Sequence, residues 1–199
     1  MMRKYRMLLL LLLPLAANAE GIGYSYAELN YIADQDFDLS GAGSDDGDGF
    51  NFNASFAIDD TFFVNGSYSD VGLDDSNIDV STFNVGVGGR SPLSSTLDAY
   101  GVVSYEDVEV DIPGFGDVDD DGFGIAGGLR GLMSANFELN GQVKYTDIGD
   151  SDGWGFKLGA LYGFAPNWAA GADYSSSELE DGGADLDIDE LRVGVRYIF

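Results

Sequence analysis

Apolar and polar residues alternate with a period of two along most of the chain after residue 20. In segment 50–58, for example, Phe50, Phe52 and Phe56 alternate with small or polar residues. Strict alternation gives a β-strand one apolar and one polar face, whereas a helix repeats about every 3.6 residues. The pattern predicts ten strands, at 21–32, 50–58, 62–69, 79–90, 96–106, 122–132, 137–146, 153–163, 168–176 and 190–199.

The predicted connections between these strands alternate in length. Short turns are expected at 59–61, 91–95, 133–136 and 165–167, and long connections at 33–49, 70–78, 107–121, 147–152 and 177–189. Such a meander is typical of outer-membrane barrels, which have short periplasmic turns and longer external loops. We therefore expect an all-β fold, a transmembrane antiparallel up-and-down barrel of ten strands, with eight strands as the alternative. Both termini should lie on the periplasmic side.

The N-terminus has the features of a secretory signal peptide. A basic start precedes an apolar run at 8–15, and residues 17–19 read Ala-Asn-Ala, which matches a small-residue cleavage site. The apolar run is too short for a membrane-spanning helix. We expect residues 1–19 to be cleaved and residues 20–199 to form one barrel domain in a bacterial outer membrane.

The expected mature chain is strongly acidic. Six Lys and Arg remain against 35 Asp and Glu, a formal net charge of −29, which argues against nucleic acid as a partner. Of the 35 acidic residues, 28 lie in the long connections and their margins. A soluble, secreted β protein would have no reason to collect its charge at one end, so the distribution favours the barrel.

The basic residues of the predicted strands share one face. If the apolar residues of each strand face lipid, all six basic residues face the interior, because Arg or Lys near mid-bilayer costs about 2–4 kcal/mol. Four acidic residues have the same parity. We expect an interior charge network formed by Glu28, Arg90, Asp98, Arg130, Glu138, Lys144, Lys157, Asp173, Arg192 and Arg196. Glu28 is the nearest expected partner for the last two.

The C-terminal strand alternates Val193, Val195 and Tyr197 and ends in Phe199. This resembles the assembly signal of bacterial outer-membrane barrels, and the whole mature chain resembles the OmpA-type, opacity-type and porin-like families of small barrels. A fainter resemblance, in residues 24–28 (Tyr-Ser-Tyr-Ala-Glu) and the Asp-Gly repeats, is to barrels described as quorum-sensing or immunity-related signals. The resemblance implies outer-membrane lipid and lipopolysaccharide as surroundings. It also implies that the barrel assembly machinery uses Tyr197 and Phe199.

The composition limits the possible chemistry. The chain has no His and no Cys, so it can form no Ser-His-Asp triad, reactive thiolate or imidazole metal site. Outer-membrane proteases, phospholipases and lipid A acyl-modifying barrels, which the chain resembles in size, rely on a catalytic histidine. We expect a non-enzymatic protein with a structural or surface-interaction role. The alternative is a narrow, porin-like channel for small solutes.

One aspartate-rich segment suggests weak cation binding. Residues 117–122 match the first half of an EF-hand loop, but the twelfth position is Gly128 instead of Glu. Asp117, Asp119 and Asp121 therefore predict a loose site for Ca²⁺ or Mg²⁺, which prefer carboxylate oxygens. The alternative is a solvated, mutually repelling surface, and no other cofactor is expected.

Overall fold

Ten antiparallel strands form one closed barrel in the computed structural model, which describes residues 22–40, 43–114, 116–181 and 184–199. Every strand pairs with its neighbours in sequence, and β1 pairs with β10 to close the sheet. This confirms the predicted all-β barrel and its ten strands, and the alternative of eight strands is wrong. The strands are β1 (Tyr26–Leu39), β2 (Gly43–Ala57), β3 (Phe62–Leu73), β4 (Asp79–Ser94), β5 (Leu97–Ile112), β6 (Gly116–Ser134), β7 (Phe137–Ile148), β8 (Ser151–Ala165), β9 (Trp168–Asp181) and β10 (Ala184–Ile198).

The expected signal peptide, residues 1–19, lies outside the described residues. In the part of the chain that the structure does describe, no helix is long and apolar enough to cross a membrane.

The predicted long connections are wrong in length, because most of their residues continue the paired strands. β1 ends at Leu39 and β2 begins at Gly43. Likewise, β5 ends at Ile112 and β6 begins at Gly116. The acidic residues in these segments alternate with Val, Ile and Leu, so the two-residue period of a strand persists. Positive φ at Gly114 lets the chain reverse in a tight turn.

The two faces of the barrel wall exchange polarity along each strand. In the lower part the outward face is apolar, as Val87 and Leu158 show with exposed fractions of 58% and 60%, and the inward face is polar. In the upper part, at the end opposite the short turns and the C-terminus, the outward face is acidic and the inward face is mostly apolar. The outward acidic residues, which we call the acidic collar, are Asp34, Asp36, Asp38, Asp46, Asp48, Asp70, Asp79, Asp107, Glu109, Asp111, Asp117, Asp119, Asp121, Asp147, Asp152, Glu178, Glu180, Asp185, Asp187 and Asp189.

A β-bulge near Ala33 sets this arrangement on the first strand. The pairing register of β1 shifts between Ile32 and Asp34 against β10, and also against β2. One extra residue in a strand reverses which side chains face inward beyond it. Without the bulge, Asp34 and Asp36 would share the inward face with Ile32. With it, they face outward.

A girdle of five tyrosines marks the level at which the polarity changes. One tyrosine comes from each odd-numbered strand, and each hydroxyl donates a hydrogen bond to an aspartate of the collar. The pairs are Tyr31–Asp48 (2.8 Å), Tyr68–Asp70 (3.2 Å), Tyr105–Asp107 (3.3 Å), Tyr145–Asp152 (2.9 Å) and Tyr174–Asp189 (2.8 Å). Tyrosine is enriched where apolar lipid meets water. The girdle therefore places the upper membrane interface just below the collar.

The short turns, the first described residues (22–25) and the C-terminus lie at the opposite end of the barrel, which is periplasmic by the usual rule for such proteins. There the rings of Trp168 and Tyr197 are 5.0 Å apart, and those of Tyr197 and Phe199 are 6.3 Å apart. The amide of Phe199 donates a hydrogen bond to the carbonyl of Ser25 at 3.1 Å. The expected assembly residues therefore lie beside the seam that closes the sheet.

We predict that deletion of Phe199 impairs assembly, because the terminal residue lies where the first and last strands must join to leave no open edge. The variant should remain sensitive to protease and lose the shift in gel migration that folded barrels show on heating. Phe164→Ala is the matched control, since Phe164 is exposed at the same end but away from the seam. Normal heat-modifiable migration of the deletion variant would contradict the prediction.

Candidate functional site

The barrel interior holds six basic and six acidic side chains at and below the tyrosine girdle. All six basic residues of the described chain point inward, and five of them form ion pairs. The pairs are Arg90–Asp98 (3.6 Å), Arg130–Glu138 (2.8 Å), Lys144–Glu106 (2.8 Å), Arg192–Asp173 (3.1 Å), Arg192–Glu190 (2.8 Å) and Arg196–Glu28 (2.5 Å). Charges are costly to bury without partners, so this pairing makes a charged lumen compatible with a folded barrel.

The ten residues expected in the interior network all lie on the inward face, but the expectation was incomplete. Glu106 and Glu190 also face the lumen and bind Lys144 and Arg192. Both share the parity of the interior residues of their strands, and this signal could have identified them. The sequence pattern alone does not select them, because they lie at the margins of the segments that it predicts to be acidic loops.

Lys157 is the exception among the basic side chains. Within the described residues, no carboxylate oxygen lies within 4.0 Å of its ammonium group. It lies on β8 between Gly155 and Gly159, which also face inward and carry no side chain. Lys157 therefore keeps hydrogen-bonding capacity and points into open lumen.

Residues 22–25, which precede β1, form a plug in the periplasmic end of the lumen. Ile22 and Tyr24 are buried there with Phe63 in one apolar cluster, at exposed fractions of 4–6%. Arg90 donates a hydrogen bond to the carbonyl of Ile22 at 3.1 Å, and Arg130 donates one to the carbonyl of Gly23 at 2.9 Å. The apolar burial and the hydrogen bonds together hold this N-terminal plug in place.

Two arginines also enclose the aromatic ring of the plug. The guanidinium carbons of Arg90 and Arg130 lie 4.6 Å and 4.5 Å from the centroid of Tyr24, and Arg196 lies 4.0 Å from that of Tyr26. A cation held over an aromatic face is stabilised by the ring quadrupole. The same arginines thus serve the ion-pair network and the plug.

Glycines on neighbouring strands, directly opposite the aromatic residues in the pairing register, make room for their side chains. A Cβ at Gly128 would lie 2.6 Å from the ring of Tyr100, and one at Gly88 would overlap the ring of Phe63. Close packing, and not a wider pore, is therefore what these two glycines provide.

Two adjoining cavities lie in the lumen formed by the described residues, and both are bordered by Asn65, Gln142 and Lys157. The lower one, of about 110 Å³, lies against the plug and the Glu28–Arg196 pair. The upper one, of about 330 Å³, is lined by Lys157, Lys144, Arg192 and a band of Ser, Thr and Asn side chains, with apolar residues above them. The open volume of the barrel therefore lies towards the collar, and the lower end is filled.

The three expected cation ligands lie in the collar, not in a loop. Asp117, Asp119 and Asp121 are exposed on the outward face of β6, opposite Asp111, Glu109 and Asp107 of β5, respectively. Alternate residues on a strand stand about 7 Å apart, whereas directly opposed side chains approach to about 5 Å. In the described part of the chain, no three acidic side chains converge closely enough to hold a metal ion.

A further carboxylate stabilises the outer end of the barrel. The hydroxyl of Ser76 and the backbone amides of Asp75 and Ser76 donate hydrogen bonds to Asp45, and these bonds lower the pKa of the Asp45 carboxyl. Asp45 therefore stays ionised and attaches the turn between β3 and β4 to β2.

A closed ten-stranded barrel with an apolar outward band, an interface girdle and a charged interior is the architecture of an integral outer-membrane protein. The sequence agrees. A family model described as the outer membrane protein beta-barrel domain matches residues 7–199, so the chain belongs to that family. No curated protein matches the chain significantly in sequence.

Solved structures show the same fold at low sequence identity. The outer membrane protease OmpT from Escherichia coli is 10% identical, with 87% of this chain and 96% of that chain covered and a TM-score of 0.61. The translocator domain of the autotransporter NalP from Neisseria meningitidis is 13% identical, with 89% and 90% covered and a TM-score of 0.50. Neisserial surface protein A is 17% identical, with 87% and 96% covered and a TM-score of 0.49. The first two support the barrel fold and nothing beyond it.

We predict that Arg196→Leu lowers the free energy of unfolding by about 3–5 kcal/mol, because it leaves Glu28 buried without its partner. Chemical unfolding in urea measures this, and Asp46→Asn in the exposed collar is the control with little expected effect. The double variant Glu28→Leu with Arg196→Leu should recover much of the loss. Equal urea midpoints for Arg196→Leu and Asp46→Asn would exclude a stabilising ion pair.

Proposed function

We propose that this protein is a non-enzymatic barrel of a bacterial outer membrane that acts at the cell surface through its acidic collar. The observation that carries the proposal is the placement of the collar carboxylates on the outward face of the wall, directly above the tyrosine girdle. Export by a cleaved signal peptide, insertion by the barrel assembly machinery and the absence of a catalytic role belong to the same proposal.

The proposed partner is the headgroup layer of lipopolysaccharide. Side chains that project outward just above the membrane interface meet the surrounding lipid headgroups before they meet bulk water. Lipopolysaccharide carries phosphate groups, so two anionic layers would face each other around the barrel. Divalent cations relieve this repulsion, because hard carboxylate and phosphate oxygens both suit Ca²⁺ and Mg²⁺.

The geometry favours bridging over chelation. The cross-strand pairs Asp107–Asp121, Glu109–Asp119 and Asp111–Asp117 set like charges directly opposite each other, which is destabilising without a counter-ion. A cation between two such carboxylates would use lipid phosphate or water for its remaining ligands. We expect many weak sites, with dissociation constants of roughly 10⁻⁴–10⁻³ M as in other extracellular calcium modules.

We predict that Ca²⁺ raises the thermal stability of the barrel in lipopolysaccharide-containing membranes more than NaCl of equal ionic strength, because monovalent salt screens without bridging. A variant with Asp117, Asp119 and Asp121 changed to Asn should lose part of the Ca²⁺ effect. Asp60→Asn, at the periplasmic end, should keep all of it. If matched NaCl reproduces the whole effect, the collar is only a solvated surface.

The second candidate function is a narrow channel for small solutes, which the upper cavity favours. The buried plug opposes it, because Ile22, Tyr24 and the Arg130–Glu138 pair occupy the lower lumen. Barrels of eight strands are filled by side chains, whereas porins of 16–18 strands leave an aqueous channel.

We predict that the purified, heat-modifiable protein gives no stable open level in planar lipid bilayers, because the plug closes the lumen below the cavity. Single-channel recording measures this directly. A reproducible open level in the unmodified protein would contradict the closed-lumen account and support the channel.

A further inference from the structure

The upper cavity of the lumen changes chemical character from top to bottom. Its upper wall is a ring of six apolar side chains, one from each of six strands: Val71, Val80, Val108, Ile148, Leu179 and Ile188. Its lower wall consists of hydroxyl, amide and charged side chains. An apolar upper wall distinguishes this cavity from a water-filled pore, whose lining is polar.

The apolar ring follows from the reversal of polarity at the tyrosine girdle. Residues that face the lumen below the girdle are polar, whereas the same inward face above it carries Val, Leu and Ile. Val71 is 2% exposed, but most of the other ring residues are only half-buried. Contact between this apolar surface and an apolar group of a ligand would remove both from water, which lowers the free energy.

The polar groups below the ring differ between the two sides of the cavity. On the side of β3 and β4, they bind each other, as in the Ser69–Thr82 pair at 2.5 Å and the Asn84–Ser67 pair at 2.7 Å. On the side of β8, Lys157 has no carboxylate within 4.0 Å in the described residues. The cavity thus places a cationic donor that has no carboxylate partner among the described residues beneath an apolar ring.

We propose that this cavity is a binding site for small amphipathic carboxylates that enter from the cell exterior. The carboxylate would bind Lys157, and the alkyl chain would pack against the apolar ring. A cavity of about 330 Å³ has the volume of about eleven water molecules, so a ligand of about ten non-hydrogen atoms fits it. The N-terminal plug lies below, so the site captures its ligand and does not transmit it.

The acidic collar does not prevent an anionic ligand from binding. The collar residues lie on the outward face of the barrel wall, and of them only Asp107 is also among the described residues that border the cavity. At physiological salt, charges more than about 8 Å apart are largely screened when they are exposed to solvent. Inside the cavity, Glu106 and Glu190 are paired with Lys144 and Arg192, and Lys157 remains for the ligand.

Octanoate, with ten non-hydrogen atoms, is a suitable probe, and its neutral counterpart 1-octanol tests the role of the charge. Binding to the full barrel in lipid nanodiscs is measured by calorimetry, with empty nanodiscs to subtract partition into lipid. We expect saturable binding of one octanoate per barrel. Lys157→Met should weaken octanoate binding about tenfold or more, as expected for a lost charge-assisted hydrogen bond, and leave 1-octanol unchanged.

Three further variants separate binding from folding. Lys157→Arg keeps the charge and should retain most of the octanoate affinity. Ile188→Ser in the apolar ring should weaken both probes. Leu158→Ala is the matched control, because Leu158 follows Lys157 on the same strand but faces lipid with an exposed fraction of 60%. Heat-modifiable migration checks that each variant folds.

The proposal is overturned if octanoate shows no saturable binding beyond that of empty nanodiscs. It is equally overturned if folded Lys157→Met binds octanoate as well as the unmodified protein does. The octanoate experiments test only the lumen site. The proposed function of the acidic collar is tested separately, by the response of the barrel to Ca²⁺.

Discussion

The structure depends on one constraint, that no backbone amide or carbonyl can remain unpaired inside a lipid bilayer. A sheet meets this constraint only when it closes on itself, and here the pairing of β1 with β10 completes the ladder from Tyr26↔Ile198 to Leu39↔Leu186. Closure then divides every strand between two environments. Alternation along the strand sorts apolar side chains to lipid and charged ones to the lumen.

The sorting of charge explains the rest of the interior. Because lipid excludes the basic residues, all six in the described chain lie in the lumen, where five have acidic partners and Lys157 has no carboxylate within 4.0 Å. Three of the arginines also stack on Tyr24 and Tyr26, so the network and the N-terminal plug stabilise each other. Most of the acidic residues beyond these pairs lie above the membrane span in the collar, where lipid does not exclude them.

The period of two was sufficient to predict the barrel, the ten strands and the inward direction of the basic residues. It fails at the strand ends, where a pattern that requires an outward apolar face predicts loops for the Asp-rich segments. The same period continues there with its polarity reversed, and the bulge near Ala33 shifts the phase of β1 in a way that no local pattern reveals. The plug could not be predicted either, since Tyr24 is held by residues distant in sequence, Arg90 and Arg130.

The central claim is that the wall of the barrel continues above the membrane, with its outward face turned from lipid to water at the tyrosine girdle. Spin labels on single cysteines along β10 test this directly, because the chain has no cysteine of its own. Labels at positions 191, 193 and 195 should be accessible to oxygen dissolved in lipid, and those at 185, 187 and 189 to a water-soluble relaxation agent. Access to lipid-dissolved oxygen at all six positions would contradict the account.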